Sequence, residues 1–87
     1  MSTFPLTISS PSGDLFSGEV MGLTLRGAEG DLAILAGHIP FMTTVKPGKV
    51  CLHFLDGTKR TGKTDGGLLT VSQERTTLLS GSFAFEE

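Results

Sequence analysis

The chain has 87 residues, seven Lys and Arg against nine Asp and Glu, and a formal net charge of −2. That length allows one small domain with a modest core and leaves no room for the large parallel sheet that normally carries a nucleotide site. The slightly acidic balance argues against nucleic-acid binding, which needs a basic face to release counterions from the phosphates.

The N-terminal "MSTFPLTISS" has neither a basic leader nor a long apolar run, so no ordinary signal peptide is expected. No apolar run approaches the roughly 18 residues that span a bilayer, which predicts a soluble chain without direct membrane insertion. In "FPLTIS" the side chains of Phe4, Leu6 and Ile8 share one face at period two, and Pro5 is tolerated only at an edge or a strand start. "SPSG" (10–13) reads as a turn. The segment from Leu15 to Leu25 sets Met21, Leu23 and Leu25 on one side, with Gly18 and Gly22 marking a bend or bulge. "RGAEGD" (26–31) reads as a loop, "LAIL" (32–35) as a short strand, "AGHIP" (36–40) as a turn and "FMTTV" as a strand stopped at Pro47-Gly48.

"KVCLHFL" alternates: Val50, Leu52 and Phe54 face one way and Lys49, Cys51 and His53 the other. Cys51 is the one thiol, too few for a disulfide framework or a metal cage, and it points to a reducing compartment. Asp56-Gly57 suits a two-residue hairpin turn, after which "TKRTGKT" returns as a polar strand. "GGLLTVS", the turn "QER" and "TTLLS" complete the series. Twelve Gly and four Pro separate these segments, and no stretch of ten residues has helical periodicity with caps. Short strands about every ten residues make an all-β sandwich or barrel.

One motif competes with this reading. "GTKRTGKT" (57–64) satisfies the phosphate-loop pattern at every constrained position. A working phosphate loop joins a strand to a helix whose N-terminus stabilises the phosphate. Here "DGGLLTVS" follows, with two glycines and a β-like run, and no acidic partner for magnesium stands at a usable distance. The match is read as coincidence in a hairpin arm, with no nucleotide expected. A minimal nucleotide-binding protein using Lys63 remains the alternative from the enzyme class.

Other chemistry is thin. His53 belongs to an alternating strand, and His38 lies on a turn, where function is more plausible. Neither has the companions of a catalytic triad or a zinc site, so no catalytic residue, metal or cofactor is expected. Neither Lys59 nor Lys63 lies at the hairpin tip, as the modified Lys of a biotinyl or lipoyl carrier would.

The centre, "GAEGDLAILAGHIPFMTTVKPGKV" (27–50), resembles the signature of the epsilon subunit of the F-type ATP synthase, called delta in mitochondria. "LTISSPSGDLFSGEV" and "DGGLLTV" are similar to that family's first segment and its Gly-Gly strand, and the likeness covers about residues 4 to 80. It implies a two-sheet β-sandwich of about eight to ten short strands, filling residues 1–87 as a single domain. It implies a non-catalytic rotor subunit of the central stalk, peripheral on the cytoplasmic face of a bacterial inner membrane. Such a subunit binds the gamma subunit along one side, rests on the c ring and couples proton translocation to ATP synthesis. By position, the resemblance assigns Glu29, Gly30 and Asp31 to the c ring, and Ser10, His38, Met42 and Thr43 to gamma. Without it, Glu29 and Asp31 read as a solvated acidic turn and Met42 as core. An independent β-sandwich adaptor with another partner is the third reading.

The chain also departs from the family. Ala36 stands where a Pro is usual, Ile39 where an Ala is usual, and Asp65 where a small Ser is usual. The strand at 58–65 is polar where alternating apolar residues are usual, so it is expected to pack weakly, to suit an edge, and to leave its register open. The helical hairpin that follows the sandwich in many members is expected to be absent, and with it the inhibitory and ATP-binding roles of that hairpin.

Overall fold

In the computed structural model, which describes residues 2–37 and 39–86, the chain runs through ten strands and no helix among the described residues. They are β1 (Phe4–Ser10), β2 (Gly13–Val20), β3 (Gly22–Gly27), β4 (Gly30–Leu35), β5 (Phe41–Val45), β6 (Gly48–His53), β7 (Lys59–Thr64), β8 (Gly67–Val71), β9 (Thr76–Ser80) and β10 (Phe83–Phe85). One layer pairs β4-β3-β6-β7-β10 and the other β5-β8-β9-β1-β2. A single bridge, Gly27↔Val45, joins them, reinforced by Lys46 N donating to the Arg26 carbonyl at 2.9 Å. All pairings are antiparallel except β1 with β9.

Alternation sends one row from each strand inward. Leu6, Ile8, Val20, Leu23, Leu25, Ile34, Val45, Val50, Leu52, Leu69, Val71 and Leu78 are buried and form the core with Phe83. Each such aliphatic side chain contributes about 1.5–3 kcal/mol of transfer free energy. Pro5 lies at the start of β1, before its pairing with β9 begins at Leu6. It therefore removes no donor from that ladder.

Several segments differ from the sequence expectation. The stretch from Leu15 to Leu25 is two strands broken at Met21, whose amide donates to the His53 carbonyl at 2.7 Å. The bulge falls at Leu15, where the register slips between Ile8↔Phe16 and Ser9↔Asp14. The "RGAEGD" loop is a hairpin turn of only Ala28 and Glu29, because Gly27 and Gly30 still pair. The turn after β6 has three residues, Leu55 to Gly57: Phe54 N donates to the Thr58 carbonyl at 2.9 Å. Gly57 takes the positive φ of 90° that such a loop requires at its last position.

The polar strand β7 is internal. It pairs with β6 from Gly48↔Thr64 to His53↔Lys59, and β10 covers its other side with Phe85↔Gly62. Gly62 makes this possible, since a Cβ there would lie 2.5 Å from the Phe83 ring and 2.8 Å from the Ala84 carbonyl oxygen. The hydroxyls of Thr64 and Ser80 meet in the interior at 2.6 Å, and Gly66 N donates to Thr64 Oγ1 at 3.0 Å. Ser80→Ala should cost about 1–2 kcal/mol, because it removes a buried hydrogen-bond partner; urea unfolding measures it. At the outer ends of the two layers, the Phe16 and Phe85 rings meet edge-on at 6.0 Å and draw β2 towards β10.

Candidate interaction surfaces

The β3–β4 hairpin ends in an exposed tip that carries Glu29, Gly30 and Asp31. Gly30 adopts φ 130°, which lets a two-residue turn close between paired strands. Asp31 lies across the ladder from Arg26, with Nε–Oδ1 at 3.7 Å and both side chains well exposed. An ion pair so hydrated contributes about 0–1 kcal/mol and leaves both charges open to exchange with a partner.

A shallow groove of ≈ 340 Å³ runs from this tip to β5 and is lined by Glu29, Gly30, Asp31, Phe41, Met42 and Thr43 among others. The fold thus sets Glu29, Gly30 and Asp31 beside Met42 and Thr43, two of the four residues of the other expected contact set. Met42 points outward with 63% of its surface exposed, so it is no core residue. Thr43 points inward and is half-buried. Ser10 lies at the end of β1, three strands from β5 in the sheet order, where its hydroxyl donates to the Gly13 carbonyl at 3.3 Å and closes the turn. His38 lies outside the described residues.

The sheet face between Ser10 and Met42 was not singled out by the sequence. Register places Thr7, Thr77, Thr70 and Met42 in one outward row. Ser9, Leu79, Leu68 and Thr44 form the next row. Neither row carries a charge, and Leu79 is 49% exposed. A signal existed: a Leu-Leu doublet in a period-two strand must send one leucine out. Leu69 and Leu78 are fully buried, and their neighbours Leu68 and Leu79 face the other way.

The phosphate-loop-like segment has the geometry of a ladder strand. Gly57 ends the hairpin turn, residues 59–64 are extended, and Thr64 turns its hydroxyl into the interior. Lys63 projects outward to Glu86 at 3.7 Å. In the turn, Asp56 Oδ1 accepts the Thr58 hydroxyl at 2.6 Å and the Thr58 amide at 2.9 Å. Those bonds, the side-chain one foremost, hold its carboxyl below the ordinary value of 3.8. A carboxyl pKa depressed by folding stabilises the turn above the unfolded value, and that contribution fades as pH falls through the folded one. Thr58→Ala should return the Asp56 pKa towards 3.8, read by carboxyl NMR titration.

Among the described residues no three His, Cys, Asp or Glu gather as a metal site, and no helix is long and apolar enough to cross a membrane. Residues 3–86 match the family described as ATP synthase, Delta/Epsilon chain, beta-sandwich domain. The ATP synthase epsilon chain, sodium ion specific, of Acetobacterium woodii is 36% identical over 85 residues, which are 98% of this chain and 64% of the relative. The chain therefore spans somewhat under two thirds of that relative's length. A chain of the Euglena gracilis mitochondrial ATP synthase, solved by cryo-EM as OSCP/F1/c-ring in rotational state 1, superposes with a TM-score of 0.91 at 21% identity, over 98% of this chain and 54% of that one. A chain of the Tetrahymena thermophila central stalk and c ring gives 0.80 at 12% identity, over 95% and 66%. At these identities the two structures speak for the fold alone.

Proposed function

Because the chain belongs to the delta/epsilon β-sandwich family of ATP synthase, we infer that it is a non-catalytic subunit of the central stalk, fastening gamma to the c ring at the cytoplasmic side of the membrane. One observation carries the reading: the uncharged outward face of β5-β8-β9-β1 runs at Met42 into the groove below the acidic β3–β4 tip. The two surfaces suit different partners. An uncharged face with exposed Met42 and Leu79 can be desolvated against gamma without stranding a charge. The adaptable thioether of Met42 fits an interface of that kind. Glu29 and Asp31 on a Gly-supported tip suit polar, basic loops of a c ring, where they set register and encounter rate more than affinity.

In this role the domain is a rigid coupling piece. Torque from the ring enters at the hairpin tip, and the two-layer sandwich passes it to gamma without a hinge of its own. The test is association of the purified chain with its cognate gamma subunit by calorimetry, where a stable complex with a negative heat-capacity change is expected. If the folded chain and folded gamma do not associate, the reading fails. A second expectation concerns the tip. The double reversal Glu29→Lys with Asp31→Lys should lower proton-coupled synthesis several-fold, and the defect should shrink as added salt screens the introduced charges.

A further inference from the structure

The second outward face has a different chemistry. Across β6 and β7, register places Lys49 and Lys63 in one row and His53 and Lys59 in another, with Cys51 between them, and Arg26 of β3 lines the same hollow as Lys49. Among the described residues, the salt-bridge partners of Arg26, Lys49, Lys59 and Lys63 are Asp31 and Glu86, which leaves an excess of two positive charges in this group, on a chain whose formal net charge is −2. Both ion pairs are 3.7 Å long and exposed, and Lys49 and Lys59 make none among the described residues. This concentration of cations is thus available to a partner, and it opposes the sign of the whole molecule.

Shape accompanies the charge. Gly22 leaves a furrow between Leu35 and His53, an almost wholly apolar hollow of ≈ 240 Å³ with Met21 at one side and Thr24 at its end. Beyond Thr24 a second hollow of ≈ 370 Å³ continues between Arg26, Asp31, Lys49 and Cys51. The two hollows lie along β3, and Gly22 to Arg26 spans about 13 Å at roughly 3.3 Å per residue. That is the rise of about two and a half helical turns at 5.4 Å each, so apolar side chains on one stripe of a helix can enter both.

We propose that the outer face of β4-β3-β6-β7 is a docking surface for an acidic amphipathic α-helix of a partner protein. Its apolar stripe lies in the Gly22 furrow, and its carboxylates face Arg26, Lys49, Lys59 and Lys63. Charge complementarity selects this occupant. A second copy of the chain would bring the same excess cations face to face, and the net repulsion would oppose pairing. The face is opposite the one assigned to gamma, so both partners can be held at once.

The test uses the full chain and a synthetic 18-residue helical peptide, with Leu on one stripe and Glu along its flanks. Three control probes accompany it: the same stripe flanked by Lys, the acidic peptide broken by a central Pro, and anionic phosphatidylglycerol vesicles. Binding of the acidic helix should shift amides of Gly22, Thr24, Arg26 and Lys49, and should slow alkylation of the half-buried Cys51 thiol several-fold. Lys49→Glu with Lys59→Glu should weaken it about tenfold and leave gamma binding unchanged. No shifts, shifts confined to β5-β8-β9-β1, equal binding of the Lys-flanked or Pro-broken peptide, preference for the vesicles, or self-association through this face would each overturn the proposal.

Discussion

Gly67→Ala is expected to lower the midpoint of thermal unfolding by roughly 15 °C or more, the largest stability effect of any single methyl added to this chain. The reason is backbone proximity. A Cβ on Gly67 would lie 1.9 Å from the Leu79 carbonyl oxygen and 2.9 Å from its carbonyl carbon. Neither atom can swing aside as the end of a flexible side chain could, because β8 and β9 are tied from Gly67↔Ser80 to Val71↔Thr76. Relief requires parting that ladder, which packs Leu69 against Leu78 in the core. A cost of at least about 3 kcal/mol follows, and for a domain of this size each kcal/mol shifts the midpoint by about 4–8 °C. Gly18→Ala is the control: its Cβ would meet only the tip of the Phe16 ring at 3.2 Å. A ring can turn, and the lost freedom of the unfolded chain offsets the crowding, so a change within about 1 kcal/mol is expected. Circular dichroism melts of both variants decide the matter, and a Gly67→Ala midpoint within a few degrees of the parent would refute the packing argument.

The same glycine chemistry explains what was and was not legible in the sequence. Where strands alternate, as in Leu6-Thr7-Ile8 or Val50-Cys51-Leu52, the buried face could be read directly, and the structure buries those residues. The polar strand β7 could not be placed, because its packing comes from a partner rather than from its own side chains. Gly62 offers a bare backbone on which Phe83 lies, and that ring arrives on a three-residue strand too short to carry a periodic signal. The expected edge position was therefore wrong for a physical reason: a strand with few apolar residues becomes internal when a neighbour supplies the apolar cover. Asp65, unusual for the family, has a local purpose as well. Its Oδ1 accepts the Ser82 amide at 2.9 Å and turns the chain from β9 into β10.

The candidate surfaces were legible by half. The carboxylates of Glu29 and Asp31 were placed on a projecting tip by the flanking glycines, and the exposed tip is where they stand. The uncharged face was missed because its residues, mostly Thr and Ser, carry no conspicuous chemistry singly. Only register gathers Thr7, Thr77, Thr70 and Met42 into a row, and register is a property of pairing that no single strand contains.

That face yields the largest functional effect expected. Leu79→Glu should weaken binding of gamma by about 30-fold or more while leaving the fold intact. Leu79 lies between Leu68 and Ser9 in the outward row, with 49% of its surface exposed. Removing it therefore opens no cavity, and a surface change of this kind stays within about 0.5 kcal/mol of the parent. In the complex the situation reverses. A carboxylate at the centre of an uncharged interface loses its water and finds no cation among the Thr, Ser, Leu and Met side chains around it. Truncation of a central anchor alone costs 2 kcal/mol or more at a hot spot, and about 1.4 kcal/mol corresponds to tenfold in affinity. Most of the loss should appear in the dissociation rate, since the face contributes little to steering. Lys49→Glu, on the opposite sheet, should leave gamma binding within twofold, which separates a local defect from a general change in charge. Calorimetric titration of both variants at about 0.15 M salt is the measurement. If Leu79→Glu melts normally and still binds gamma within threefold of the parent, gamma does not bind on the β5-β8-β9-β1 face.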